Sequence, residues 1–448
     1  MSTSSANSNS NTNTNQTNLQ CSKETSAPYD PYLHRDVKHP TSHIVTQILL
    51  VKGLIGTGVF AIPHAFKQAG YIVAPIFAAL IGITMTYCFH ILVQSMYIMC
   101  KRHRISVLTY PMAFQLALKD GPPYLRCFAP YAVGFVNGFL LINQIGIGCV
   151  YVVFVSTNLK TFTDSWYTIR VEYYILMLFV PLFAVMLIRN LNALAPFTIF
   201  ATVICCTAII MILVELFTNM PQFRDRNAAG TILEFPLFFG TTLFALVPIG
   251  LIITLENNMK TPQSYVSRFG VLNCGMTIVT VIYIIFGVFG YVKYGDQIED
   301  SITLNLDPNN IQTKIIQMGY SVSIGLSYAL QCYVAVEIIW GNHLSQYFTK
   351  YPMLGEYAVR LAIVLITFVL AVAIPKIGMY ISLFGGFCLS MVGLAIPALI
   401  QICVRYPFDL GPYNYKIIPN VILIIIGICV CITSTTAGMI DIVKFLSG

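Results

Sequence analysis

The chain has 448 residues, 56% of them apolar and only 10% charged, where soluble domains carry about 25% charge. That balance excludes a soluble enzyme and points to an all-α polytopic membrane protein. The net charge of +7 is no nucleic-acid signal, because the basic residues fall in short loops between apolar runs.

Residues 1–40 read as a disordered cytoplasmic tail: "SSANSNSNTNTNQTN" is polar low complexity and cannot bury a core. Residues 41–448 read as one transmembrane domain. Eleven apolar segments follow, over 43–69, 72–98, 128–156, 172–188, 195–216, 236–258, 270–294, 316–340, 358–375, 378–403 and 419–443. Each approaches the roughly 20 residues that cross a bilayer. The polar N-terminus carries no secretory signal, so the first span serves as its own. Fifteen of the 25 Lys and Arg residues fall on the tail side and nine on the other. The positive-inside rule then puts the tail in the cytoplasm and the C-terminus outside or in a lumen. The one glycosylation sequon, Asn15-Gln16-Thr17, lies in that tail and is expected to go unused. Most of the 13 cysteines lie inside apolar runs, with no CxxC pair and no zinc-spaced His/Cys cluster. They read as small packing residues, and no metal or cofactor is implied.

The first span contains "KGLIGTGVFAIPHAF" (52–66). Gly53, Gly56, Gly58 and Pro63 weaken a helix at bilayer depth, which is tolerated where the freed backbone lines a cavity or is buried in protein. Glycines also serve close helix packing, and on the glycines alone the two readings stand level. The sixth span shifts the balance. It reads "FFGTTLFALVPIGLIITLE", with Pro248 and Gly250 at mid-depth. Spans one and six are five apart, where a five-helix inverted repeat places corresponding elements, and paired interrupted helices point to a transporter's substrate site. A half-helix N-terminus suits a carboxylate, and unwound carbonyls suit an ammonium. Two facing breaks therefore fit a zwitterion.

Ionisable groups inside spans are costly. Glu337 sits late in span eight. Glu256 ends span six, where interfacial water makes a structural role easy. Lys52 precedes the first break and can snorkel, and a Lys52–Glu256 pair is the expected inner gate. His64 and His90 read first as hydrogen-bonded structural histidines. Tyr320, Ser323, Ser327 and Gln331 form a polar stripe on span eight, with Asn137 and Asn143 on span three. No phosphate loop, Gly-x-Ser-x-Gly or His-Glu-x-x-His motif is present.

From residue 41 onward the chain resembles the proton-coupled amino acid transporters of the amino acid/auxin permease superfamily, the insect members in particular. The likeness is carried by "KGLIGTGVFAIPHAFKQAG", "FPLFFGTTLFA", "LENNMKTP", "YGDQIEDSITLNL", "YALQCYVAVEII" and "AIPKIGMYISLFGG". It implies eleven transmembrane helices in a leucine-transporter-like 5+5 inverted repeat with helices one and six broken, and transport of small neutral amino acids. Leu49 stands where the family often has a coupling histidine. Val247 stands where it often has a glutamate, and no cysteine follows "SITLNL". The expected substrate residues are Gly53, Gly56, Thr57, Gly58, Asn143, Phe244, Leu246, Val247, Pro248 and Ser327. The expected coupling or gating residues are Lys52, His64, Glu256 and Glu337. The partners are a neutral amino acid, protons and the lipid bilayer, with proton dependence expected to be weak. An amino acid-sensing receptor is the alternative, and the short tail and loops disfavour it. Tyr351-Pro352-Met353-Leu354 fits a loose sorting signal, which leaves plasma and endolysosomal membranes both open.

Overall fold

The structure, a computed structural model, describes residues 29–37, 40–164, 167, 169–188, 191–218, 226–307, 310–348, 350–406 and 412–447. The sequon and most of the tail lie outside the described residues. Among those described the chain is helical, with one isolated bridge between Thr41 and Met259.

Every predicted span has a helical counterpart. In chain order the α-helices of eight or more residues are α1 (His43–Leu54), α2 (Gly58–Ala69), α3 (Val73–His103), α4 (Tyr110–Asp120), α5 (Ala132–Thr163), α6 (Val171–Met186) and α7 (Leu191–Phe217). They continue with α8 (Phe235–Leu246), α9 (Ile249–Asn257), α10 (Val271–Tyr294), α11 (Ile311–Val336), α12 (Pro352–Ala373), α13 (Ile377–Phe384), α14 (Ile396–Arg405) and α15 (Ile418–Ser447). The pairs α1/α2 and α8/α9 are the broken first and sixth spans. Short π-helical turns, Gly385–Leu389 and Met391–Ala395, join α13 to α14. Nine helices among the described residues are long and apolar enough to cross a membrane, and ten if α1 and α2 count as one. The fourth expected span, α6, has 16 residues, about 24 Å at the α-helical rise. It is shorter than a typical hydrocarbon core.

The broken elements lie at the centre. Nine of the twelve residues of α2 and eight of the twelve of α8 are buried. By contrast the most apolar stretch of α15 is only 28% buried and presents Ile418, Ile422, Ile425 and Ile432 outward. An apolar exterior suits lipid, where hydrocarbon rather than water meets those side chains. α4 lies between the second and third expected spans, outside any of them. Its buried residues Tyr110, Ala113, Phe114, Ala117 and Leu118 follow helical spacing. The Tyr110 hydroxyl donates to the Val392 carbonyl at 2.6 Å, pinning α4 to the π-helical turn of span ten.

Candidate functional site

α1 ends because Ile55 leaves helical geometry (φ −78°, ψ 86°), and the chain turns by 54° before α2. Thr57 makes no side-chain cap on α2. The first turn of α2 is closed only by long bonds, Val59 N–H to Gly56 O at 3.4 Å and Phe60 N–H to Thr57 O at 3.3 Å. Weakly used donors at a helix N-terminus form an anion site. In the sixth span Val247 (ψ 76°) and Pro248 (ψ 61°) separate α8 from α9. Pro248 brings no N–H, so the carbonyl four residues back loses its helical donor.

The two breaks face one another across a cavity of about 100 Å³. Gly53, Gly56, Thr57 and Gly58 line it from the first break, and Phe244, Val247 and Pro248 from the second. Asn143 and Tyr151 of α5 and Gln331 of α11 complete the polar wall. The Asn143 Oδ1 is buried and accepts no hydrogen bond. Eight of the ten expected substrate residues thus surround one cavity. Leu246 does not line it and is buried in the core at 1% exposure. Ser327 lines a second cavity instead and donates to the Ser323 carbonyl at 2.9 Å.

The glycines of the first break divide between the two readings. A Cβ on Gly58 would lie 2.8 Å from the Ala245 Cα and 2.9 Å from its Cβ, so this glycine lets α2 and α8 touch. A Cβ on Gly56 would meet nothing within 4 Å, so Gly56 faces open space. Tyr283 of α10 bridges the breaks. Its hydroxyl donates to Leu54 O at 2.6 Å, with Ala245 O at 3.2 Å sharing the proton. A tyrosine in an apolar run reads as packing, and no sequence signal marked it out.

The second cavity, about 480 Å³, shares Gly53, Gly56, Tyr151 and Gln331 with the first. It runs along α1 as far as Gln47, between α7 and α11, with Lys52, Cys205 and Ser327 on its wall. Where the second cavity ends against α2 and α5 its wall is made of rings, Tyr320 among them. Phe60 packs on Tyr320 (centroids 4.5 Å apart), and Tyr320 on Phe154 (5.2 Å). All three are at most 1% exposed.

Both faces of the molecule carry clasps. On the near face, the one holding the N-terminal segment, residues 29–37 dock against α3 and α9 although the tail was expected to be structureless. Arg35 donates through both terminal nitrogens to the two carboxylate oxygens of Glu256, at 3.1 and 3.2 Å, and also to the Glu256 carbonyl. The two side chains are 6% and 7% exposed. Arg35 also lies over the Tyr32 ring, which stacks on Tyr97. Burial and the Glu256 carboxylate raise the Tyr32 phenol well above its usual range, so it stays neutral. Thr41 N–H to Asn258 O and Lys260 N–H to Thr41 O, both 2.9 Å, tie the start of α1 to the end of α9. The expected Lys52–Glu256 pair is therefore corrected: Arg35 takes the carboxylate, and Lys52 faces the cavity. On the far face His64 Nε2 lies 3.9 Å from Asp300 Oδ1, and Asp300 Oδ2 accepts from the Gly378 N–H at 3.1 Å. His64 thus links α2 to the start of α13 through the 294–306 loop.

Glu337 lies away from both cavities. It lines a separate surface hollow with Trp340, Glu356 and Arg360. His90 bonds Asn273 at 2.7 Å between α3 and α10.

Comparison with known proteins agrees with this geometry. Residues 39–440 match the family model described as transmembrane amino acid transporter protein. The chain is 33% identical over 424 residues to the proton-coupled amino acid transporter-like protein pathetic of Drosophila melanogaster, covering 94% of this chain and 89% of that one. It is 26% identical over 413 residues to the amino acid transporter ANT1 of Arabidopsis thaliana, covering 88% and 91%. Among solved structures it is similar to the nucleobase-cation symport transporter Mhp1 in its inward-facing conformation, with a TM-score of 0.55 at 12% identity over 94% of this chain and 92% of that one. At that identity the likeness establishes the leucine-transporter-like fold alone.

Proposed function

The chain belongs to the transmembrane amino acid transporter family, and on that premise we propose that it moves small neutral amino acids across a membrane by alternating access. The observation that carries the substrate class is the pair of broken helix ends facing across one cavity of about 100 Å³. In this reading the substrate carboxylate sits on the N–H groups that open α2, where the helix dipole adds positive potential. The ammonium sits against the freed carbonyls near Val247 and the unpartnered Oδ1 of Asn143. A cavity of that size suits small side chains, and larger ones extend into the adjoining 480 Å³.

The two clasps support a cycle in which one face opens while the other is held. The Arg35–Glu256 clasp closes the near face, and His64–Asp300 closes the far face. In this reading the near face is the cytoplasmic one, which the charge bias of the loops supports. Coupling to protons is weak in this reading. Leu49 and Val247 cannot bind a proton, Glu337 stands off the cavities, and a carrier couples only through differential affinity of its two states. The test is uptake of labelled alanine and leucine by proteoliposomes. Saturable uptake lost on Gly56→Leu supports the reading, and near-normal uptake by that variant overturns the placement of the site.

A further inference from the structure

Lys52 is the only charged residue lining either cavity among the described residues. It sits in the last turn of α1, one helical turn before the break. It is half-buried, and no carboxylate or hydrogen-bond partner meets its ammonium among the described residues. The larger cavity continues the smaller one past Gly53 and Gly56, so a molecule passing between the breaks and Gln47 passes Lys52. The C-terminal end of a helix favours a cation, and Gln47, Ser327 and Gln331 are among the few polar side chains on an otherwise mostly apolar wall. The passage thus carries fixed positive charge with nothing in the wall to neutralise it.

We infer that Lys52 is a specificity-determining residue, a charge filter that excludes substrates with cationic side chains from the path between the central cavity and the near face. The inference rests on the reading that these cavities carry amino acids, and it goes further by naming which of them are rejected. An amino acid's own carboxylate and ammonium are held at the breaks, so only a second, side-chain charge meets Lys52. Two like charges about 8 Å apart at an effective dielectric of about 20 repel enough to change a binding constant about thirtyfold. A carboxylate at the same place is drawn in by the same field.

The experiment compares ligands that differ in charge at similar length. Norleucine is measured against lysine, and glutamine against glutamate, by competition for labelled alanine binding on the purified full chain. Wild type should bind norleucine at least about thirtyfold better than lysine. Lys52→Arg should keep that ratio. Lys52→Gln should lower it at least about tenfold and should at the same time weaken glutamate relative to glutamine, a reversal of sign that loss of structure does not produce. A lysine-to-norleucine ratio independent of residue 52 overturns the inference. So does loss of all amino acid binding in a folded Lys52→Gln protein, because a filter acts only on the charged ligands. If wild type binds no neutral amino acid at all, the transport reading fails instead, and the two failures are distinct.

Discussion

Replacing Arg35 by alanine leaves the Glu256 carboxylate buried without its guanidinium. Both side chains are under 10% exposed, and the guanidinium makes two contacts of 3.1 and 3.2 Å with the carboxylate. Removing one partner of such a pair costs about 3–5 kcal/mol, most of it the stranded charge. The whole loss falls on the state in which the near face is clasped, because the strap makes these contacts only when docked. At about 1.4 kcal/mol per decade, the equilibrium for undocking rises on the order of a hundredfold, less whatever water entering beside Glu256 recovers. The backbone bonds of Thr41 and Lys260 to the opposite strand of the clasp report this opening. Their amides exchange with solvent through it. Hydrogen exchange on peptides spanning those residues should quicken at least about tenfold in Arg35→Ala. The charge swap Arg35→Glu with Glu256→Arg should recover part of the protection. Exchange in Arg35→Ala within about twofold of wild type would refute the claim that this pair holds the near face shut.

Gly58→Ala should lower the yield and thermal stability of folded protein by about 1–3 kcal/mol through overpacking against Ala245. Gly56→Ala should leave stability unchanged within error while weakening alanine uptake, and a thermal scan beside a transport assay separates the two. Tyr283→Phe removes the hydroxyl shared by Leu54 O and Ala245 O and should cost about 1–3 kcal/mol in stability; an unchanged melting temperature contradicts that bridge. With Val247 and Pro248 at the break, leucine should compete better than glycine by a graded amount, since one methylene is worth about 1–3 kcal/mol; equal competition sinks this. Uptake should change less than about twofold as outside pH moves from about 7.5 to about 5.5, across the histidine range, without inward current. Steep acid stimulation that disappears in His64→Gln would instead assign coupling to the His64–Asp300 pair.

The breaks were legible because proline and clustered glycine change what a backbone can do, whatever surrounds them. Spacing by five spans then tied Gly56 to Pro248 before any contact was known. The packing partners were not legible. Gly56 and Gly58 are the same residue two positions apart, and only the approach of Ala245 tells the packing glycine from the cavity glycine. Glu256 reads from sequence as a carboxylate at the end of span six, in reach of interfacial water and of Lys52, whereas the structure buries it against Arg35. Arg35 stands outside the apolar runs, in a segment whose composition gives no reason to expect order, and its docking depends on Tyr32, Tyr97 and the Ser106 carbonyl meeting it in space. Glu337 carries charge in an apolar helix, which signals a role for the position but not the distance to the cavity.

The central claim is that one cavity between two broken helices carries amino acids across the membrane. It is tested most directly by counterflow. Proteoliposomes loaded with unlabelled alanine are placed in a trace of labelled alanine, and the label inside is followed with time. A carrier gives a transient accumulation of label above the outside concentration, saturable and abolished by Gly56→Leu at unchanged protein content, and this is the expected result. Saturable binding of the label with no accumulation inside, in wild type, would contradict it and leave a receptor with a transporter's fold.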